Sequence, residues 1–258
     1  MTNVSIISLN HPKVILMRVL VFSDVHANLT ALEQILTDAG DYDAVWCLGD
    51  VVGYGPDPNE CIECIRNLPN LTCILGNHDA AVLELIGVGA FNQEAGNVIR
   101  WTREALTANS LSFLSSLPER AVFGDVTLVH GSPRQPVWEY LLDEQTARHN
   151  FDFFDTSFCF VGHTHLPLFF HLAEREVYPI GGYLPPNQMV QLTPRAIVNP
   201  GSVGQPRDHD PRAAYAIYDT ETHSFEHRRV MYDIASVQKR MRSAGLPSRH
   251  IERLSAGW

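Results

Sequence analysis

The sequence predicts an α/β fold in which two mixed β-sheets pack face to face with helices outside, a four-layer α/β/β/α arrangement. Three observations predict it. The first 80 residues alternate β-branched apolar runs with helical runs, the mark of a parallel sheet with crossover helices. From Ala121 onward, short β-rich runs separated by turns dominate, enough material for a second sheet. Polar residues of metal-binding type end five of the apolar runs, and strand ends are where α/β sheets build their sites.

Residues 18–23 are apolar and β-branched and read as a buried strand. Asn28 reads as a helix N-cap, with Leu29, Leu32, Ile35, Leu36 and Ala39 at helical spacing and Gly40 as the stop. Residues 44–48 form the next strand. Pro58 opens a second helix whose apolar side is Cys61, Ile62, Ile65 and Leu68. Residues 72–75 are a third strand. Residues 78–118 read as mainly helical, with Leu83, Leu85, Ile86, Val98, Ile99, Trp101, Leu106, Leu111, Leu114 and Leu117 as core candidates and Pro118 as the end. The β-rich runs are 121–129, 157–161, 167–172, 176–180, 188–193, 196–199, 213–219 and 224–230, interrupted by a helix at about 143–150. Gly181-Gly182 and Pro185-Pro186 read as turns or loops. A helix follows Asp233 and a shorter one Pro247. The motifs are spread through the chain without repeats, so residues 17–258 read as one domain. Residues 1–16 are an N-terminal extension or an upstream start, since Met17 begins a natural first strand; they also offer an edge strand through Val4, Ile6, Ile7 and Leu9.

Hydrophobic residues are 45% and charged ones 19%, an ordinary globular composition. The formal net charge of -10 repels a polyanion, which argues against long nucleic acid as partner. No run of apolar residues is long enough to span a membrane, and the start lacks the features of a secretory signal. The five cysteines are odd in number and the chain is too large to need staples, which points to a reducing, cytoplasmic setting. Cys61 and Cys64 form a lone C-x-x-C, read as inward packing one helical turn apart.

The five polar patches are F-S-D-V-H (22–26), L-G-D (48–50), L-G-N-H-D (75–79), L-V-H-G (128–131) and V-G-H-T-H (161–165). They contain Asp24, His26, Asp50, Asn77, His130, His163 and His165. Alone, each is weak, because a D-x-H arises by chance and a single histidine is commonly a surface or cap residue. Together they place oxygen and imidazole donors at the ends of neighbouring strands. That donor mix suits Mn, Fe, Zn, Co or Ni ions better than calcium. A carboxylate that bridges two ions about 3.5–4 Å apart is the usual device of two-metal hydrolases.

The order D-x-H, G-D, G-N-H-D, H-G, G-H-T-H resembles the calcineurin-like metallophosphoesterase superfamily, most closely its small bacterial and archaeal phosphodiesterase branch. The segment 199–204, N-P-G-S-V-G, resembles the same branch. The resemblance implies a metal-dependent phosphoesterase acting on a small phosphate ester. Asp24, His26 and His165 would hold one ion, Asn77, His130 and His163 the other, and Asp50 would bridge. A hydroxide held between the ions would attack phosphorus. His78 would protonate the leaving group, and Asp79 would orient His78; Asp79 also reads as a first-turn acid at the helix dipole.

In the protein-phosphatase branch the G-D motif continues into an arginine that grips phosphate. Here Gly49-Asp50 continues Val51-Val52-Gly53-Tyr54, so that arginine is absent, which favours diesters over the more highly charged monoesters. Tyr54 either lines the pocket or packs as a loop aromatic. Arg134 and Arg207, each just past a motif, are candidates to replace the grip or are solvated charges. The 199–204 segment offers N–H groups to an anion or is a structural turn. The remaining histidines lack supporting spacing, and the Asp208-His209-Asp210 turn reads as solvated. Phe151, Phe153 and Phe154 read as core or interface. The rival readings are a nucleotide pyrophosphohydrolase or nuclease with the same site, and a non-catalytic scaffold that keeps the fold.

Overall fold

The computed structural model describes residues 17–258; the expectations for residues 1–16 lie outside the described residues. Strands β1 (Arg18–Phe22), β2 (Ala44–Cys47) and β3 (Leu71–Cys73) are linked by helices α1 (Leu29–Asp38) and α2 (Pro58–Arg66). The helical block contains α3 (Asn77–Val82), α4 (Gln93–Ala105) and α5 (Ala108–Ser115). Then come β4 (Arg120–Phe123), β5 (Val126–Val129), α6 (Glu144–Asn150), β6 (Phe158–Phe160), β7 (Leu168–His171), β8 (Ile180–Tyr183), β9 (Gln188–Gln191) and β10 (Ala196–Val198). The chain ends with β11 (Ala213–Asp219), β12 (Ser224–Val230), α7 (Ile234–Ser243) and α8 (Ser248–Ala256).

The strands form two six-stranded sheets, in the orders β3-β2-β1-β11-β12-β9 and β4-β5-β6-β10-β7-β8. Both are mixed: β1 runs parallel to β2 and antiparallel to β11, and β6 runs parallel to β5 and β10 while β10 is antiparallel to β7. Side-chain alternation builds the layers. Val19 and Val21 of β1 and Trp46 of β2 join Leu128, Phe158, Phe160, Val198 and Tyr218 between the sheets. Leu20, Phe22, Val45 and Cys47 point the other way, into the layer with Leu32, Ile35, Ile62, Val237 and Leu254 of the helices. On the far face, Val129, Cys159 and Ile197 pack against Ala147, Phe151 and Phe154. The four layers expected from the sequence are therefore present.

Local signals explain the boundaries. The Asn28 side chain caps α1 by accepting from Ala31 N at 3.1 Å, and Asp143 caps α6 by accepting from Thr146 N at 2.7 Å. Differences from expectation have physical reasons. The run 121–129 is a hairpin, because Gly124-Asp125 turns the chain between β4 and β5. Gly181-Gly182 lies inside β8, not in a turn, and the strand expected at 176–180 begins only at Ile180. A Cβ on Gly181 would stand 2.4 Å from the Phe170 ring, so this strand needs glycine for close packing. Leu85 is 67% exposed, since α3 ends at Val82 and the chain leaves the core there. Phe153 is also exposed, while Phe151 and Phe154 are core. Asp208 pairs with the buried Arg229 and Asp210 with Arg212, so that turn is tied down by ion pairs and is not merely solvated. Cys61 is buried and Cys64 half-buried.

Trp46 is fully buried between the sheets, with ring centroids 5.9 Å from Phe160 and 5.8 Å from Tyr218. Trp46→Ala is expected to cost about 3–5 kcal/mol of folding stability. The shift of the urea midpoint at unchanged slope measures it, and a cost below about 1 kcal/mol would contradict this packing.

Candidate metal centre

All seven metal-type residues meet at one end of the sandwich, where β1, β2 and β3 of one sheet face β5 and β6 of the other. Each is at most 3% exposed. Three overlapping groups of donor atoms lie within 4.8 Å of one another: Asp24, His26 and His165; His26, Asp50 and His78; Asp50, His130 and His163. Asp50 belongs to two of them. Its Oδ2 is 3.6 Å from His26 Nε2 on one side and 3.4 Å from His130 Nε2 on the other. Asp24 Oδ1 lies 3.8 Å from His26 Nε2 and 3.4 Å from His165 Nε2. Asn77 joins through Oδ1, 3.0 Å from His130 Nε2.

The outer side of each ligand-type imidazole and of both carboxylates is pinned by backbone. His26 Nδ1–H donates to Val52 O at 3.1 Å, His130 Nδ1–H to Leu48 O at 2.8 Å, His165 Nδ1–H to Gln205 O at 2.5 Å, and His163 Nε2–H to Trp138 O at 3.1 Å. Asp24 Oδ2 accepts from His163 N, and Asp50 Oδ1 accepts from His78 N. A carbonyl only accepts, so these bonds decide the tautomers and turn the remaining ring nitrogens inward as lone pairs. His26 and His165 then present two lone pairs to each other at 3.0 Å. Among the described residues Asp24 Oδ1 and Asp50 Oδ2 are buried with no hydrogen-bond partner. Only cations reconcile this much unpaired basicity in a buried space, and the donor set fits divalent transition ions.

The electrostatics agree. Burial holds His26 and His165 well below the usual imidazole range and lowers His163 to about 3, so all three are neutral, as ligands must be. Burial raises Asp24 to about 7. Asp50 is different: burial would raise it, but His130 and His78 outweigh burial and hold it well below the ordinary carboxylate value. Burial opposes charge on His130, yet Asp50 carries it up to about 9, so without metal an imidazolium beside Asp50 offsets that carboxylate.

The backbone supporting these donors is strained. Asp24, His26, Asp50, His163 and His165 all have φ between 49° and 65°, a region that costs non-glycine residues of order 1 kcal/mol or more each. Cross-loop bonds hold them there: Asp24 N to Gly49 O, His26 N to Asp50 O, Gly204 N to Asp24 O, and Ser202 Oγ–H to Asp24 O. The 199–204 segment therefore serves the Asp24 loop.

The other expected residues divide. The His78 ring stands in an aromatic cage, 4.9 Å from His26, 4.4 Å from Tyr54 and 5.1 Å from Phe91, and burial lowers it to about 4. Gly53, at φ +95°, lets the ring in; a Cβ there would be 2.5 Å from His78 Nδ1. Asp79 does not contact the His78 ring through a hydrogen bond. Its carboxylate accepts from Val51 N, Val52 N and Gly76 N at 3.3, 3.1 and 3.0 Å, so it shapes the Asp50 loop and caps α3, in keeping with its reading as a first-turn acid. Tyr54 is 8% exposed and lines the centre. Arg207 reaches it as well: its N donates to His165 O, and its guanidinium carbon is 5.9 Å from the Tyr54 centroid. Arg134 lies at the surface, and its guanidinium is held by Glu139.

Sequence reasoning missed an aromatic wall. Tyr140 stacks on His163 at 3.9 Å, and Phe91 packs edge-on against Trp138 at 5.1 Å while also touching His78. The available signal was that Trp138 and Tyr140 follow the His130 motif within ten residues.

Comparison with known proteins agrees with this geometry. The model of the calcineurin-like phosphoesterase superfamily domain matches residues 17–223. A metallophosphoesterase of known crystal structure from Sphaerobacter thermophilus is 47% identical, covering 94% of this chain and 99% of that chain at a TM-score of 0.85. An uncharacterized protein of Methanocaldococcus jannaschii is 38% identical over 245 residues, 92% of this chain and 97% of its own length. A symmetrical bis(5'-nucleosyl)-tetraphosphatase of Aromatoleum aromaticum is 25% identical over 119 residues, 44% of each chain.

Asp50→Ala is expected to empty the centre of metal, read by elemental analysis of the purified protein; retention of the full metal content would contradict the placement of Asp50. A pH dependence also follows. In the metal-free protein the Asp24 carboxyl keeps its proton up to about 7, above its unfolded value of 3.8, so its contribution to stability is lost as pH rises through that window. Bound metal removes that loss by taking the carboxylate. The rise in Tm caused by Mn²⁺ should therefore grow between pH 5 and pH 8, measured by scanning fluorimetry, and a larger rise at pH 5 would overturn the sign.

Proposed function

Since the chain belongs to the calcineurin-like phosphoesterase superfamily, we propose that it hydrolyses a small phosphodiester at a centre of two divalent ions. Metal-dependent phosphoester hydrolysis is the family's chemistry; the number of ions, the residue roles and the preference for diesters are the proposal. The observation that carries it is the pair of buried, partnerless oxygens, Asp24 Oδ1 and Asp50 Oδ2, set among inward-facing imidazoles. Asp24, His26 and His165 would hold one ion and Asn77, His130 and His163 the other, with Asp50 placed between the two sets. When bound, such ions supply an activated water at neutral pH and electrophilic pull on a phosphoryl oxygen.

The chain's own residues do the rest. His78 is the proton donor to the leaving oxygen. Its Nδ1 is buried without a partner, and its ring belongs to no backbone carbonyl, unlike the ligand imidazoles. Burial keeps it neutral when the site is empty, and an approaching phosphate anion favours its protonated form. Tyr54 and Phe91 hold the ring in place and exclude water from it. Arg207 is the available cation for the phosphoryl group, whereas Arg134 is engaged with Glu139. With the arginine of the protein-phosphatase motif absent, the less charged diester is the better fit. The aromatic wall of Phe91, Trp138 and Tyr140 suits a flat leaving group.

A second reading, a nucleotide pyrophosphohydrolase, is supported by the tetraphosphatase relative and by the same wall, which offers stacking to a base. Long nucleic acid does not suit a chain of net charge -10. The non-catalytic scaffold does not suit a site with every donor in place. The five free cysteines support a reducing, cytoplasmic setting, and among the described residues no helix is long and apolar enough to cross a membrane.

The test is a panel of aryl phosphate monoesters and diesters, cyclic nucleotides and dinucleotides with Mn²⁺. Diesters should turn over faster, and hydrolysis confined to monoesters would reverse the preference. His78→Ala should keep its metal and lose about 10²–10⁴ in kcat, most for poor leaving groups. A variant that purifies without metal would instead make His78 a ligand.

A further inference from the structure

We propose that helix α8 completes a second anion subsite beside the metal centre, in which Arg253 extends the grip of Arg207 from the phosphoryl group at the metals to the next one along the substrate. The chemical class it selects is a compound with two linked phosphoryl groups, a pyrophosphate ester. The inference rests on the hydrolase reading and refines its substrate.

The Tyr54 ring joins the metal centre to helix α8. On one side it meets His78 at 4.4 Å and His26 at 4.7 Å, both within the centre. The Arg207 guanidinium carbon lies 5.9 Å from its centroid. His250 of α8 meets the same ring at 4.6 Å. Arg253 follows His250 by three residues and so projects from the same face of the helix. Helix α8 is a fixed wall and not a loose tail. Gln238 Nε2 of α7 donates to Ile251 O at 2.8 Å, and His209 N donates to Gly257 O at 2.6 Å, beyond the left-handed cap at Gly257.

Among the described residues neither Arg207 nor Arg253 has a carboxylate at ion-pair distance, and the Arg207 fork is tied to the neutral Gln205 Oε1, at 3.1 Å. The nearby acids are taken: Asp208 by Arg229, Asp210 by Arg212, Glu94 by Arg249. Arg207 Nε and Arg253 Nε are buried and make no hydrogen bond. Both ring nitrogens of His250, 1% exposed, are equally without partners. In a chain of net charge -10, two neighbouring guanidiniums left without a carboxylate are costly unless an anion joins them. The depressed basicity of Arg253, caused by burial and then by the charges of Arg207 and Arg249, agrees with that crowding. Phosphoryl oxygens match the planar guanidinium fork. The alternative role for Arg253 is to cover Trp258, whose ring centroid is 5.8 Å from its guanidinium carbon.

The experiment uses the full chain loaded with Mn²⁺, hydrolysis of an aryl phosphodiester as readout, and orthophosphate and pyrophosphate as competing probes with free Mn²⁺ kept in excess. Pyrophosphate should inhibit about tenfold or more below the concentration needed for orthophosphate, and Arg253→Gln should collapse that ratio toward one. Equal inhibition of the unsubstituted protein by the two anions overturns the subsite even if no variant folds. A ratio that survives Arg253→Gln also overturns it and leaves Arg253 as a cover for Trp258. Absence of any phosphoester turnover strikes the hydrolase reading itself, so the two failures are told apart.

Discussion

Two carboxylate oxygens with nothing to bond to, Asp24 Oδ1 and Asp50 Oδ2, constrain everything around them. A buried anion without a partner is among the most expensive features a fold can carry. This chain places two in one pocket and surrounds them with imidazoles whose outer nitrogens are tied to carbonyls. The arrangement is unfavourable as an empty cavity and favourable as a cation cradle. The His130 imidazolium, sustained by Asp50, shows what the pocket does in the absence of metal: it keeps a proton where a cation belongs.

The backbone around the cradle is shaped at a cost. Five of the donors sit in the left-handed region, where side chains other than glycine are disfavoured. They stay there because loops from both sheets cross-link: the Asp24 loop hangs on Gly49 and Asp50 on one side and on Ser202 and Gly204 on the other. Asp79, three residues into α3, gathers three backbone N–H groups from the Asp50 loop and its own helix start. Such strain is affordable only on a rigid base, and the tightly packed layer around Trp46, Phe160 and Tyr218 supplies one.

Charge distribution connects the site to its substrate. The chain is acidic overall, yet the rim of the centre nearest Tyr54 carries Arg207 and Arg253 without acidic partners. The opposite rim is aromatic, with Phe91, Trp138 and Tyr140. Under the proposed hydrolase reading, this combination suits an anionic centre of reaction flanked by a flat apolar group.

The sequence by itself determined the layers, most element boundaries and the seven polar residues that converge at the strand ends. Alternation, caps and polar residues at strand ends are local patterns, and local patterns survive in one dimension. It did not determine what Asp79 holds, because a first-turn acid looks the same whether it faces a neighbouring ring or its own backbone. It misread Gly181-Gly182 as a turn, since the Phe170 ring that demands glycine there comes from another strand. Tertiary structure alone decided that Arg134 is neutralised by Glu139, that Arg207 overlies Tyr54, and that His250 and Arg253 arrive from the far end of the chain. Those contacts join residues as much as about 200 positions apart, and no periodicity encodes a meeting at that separation.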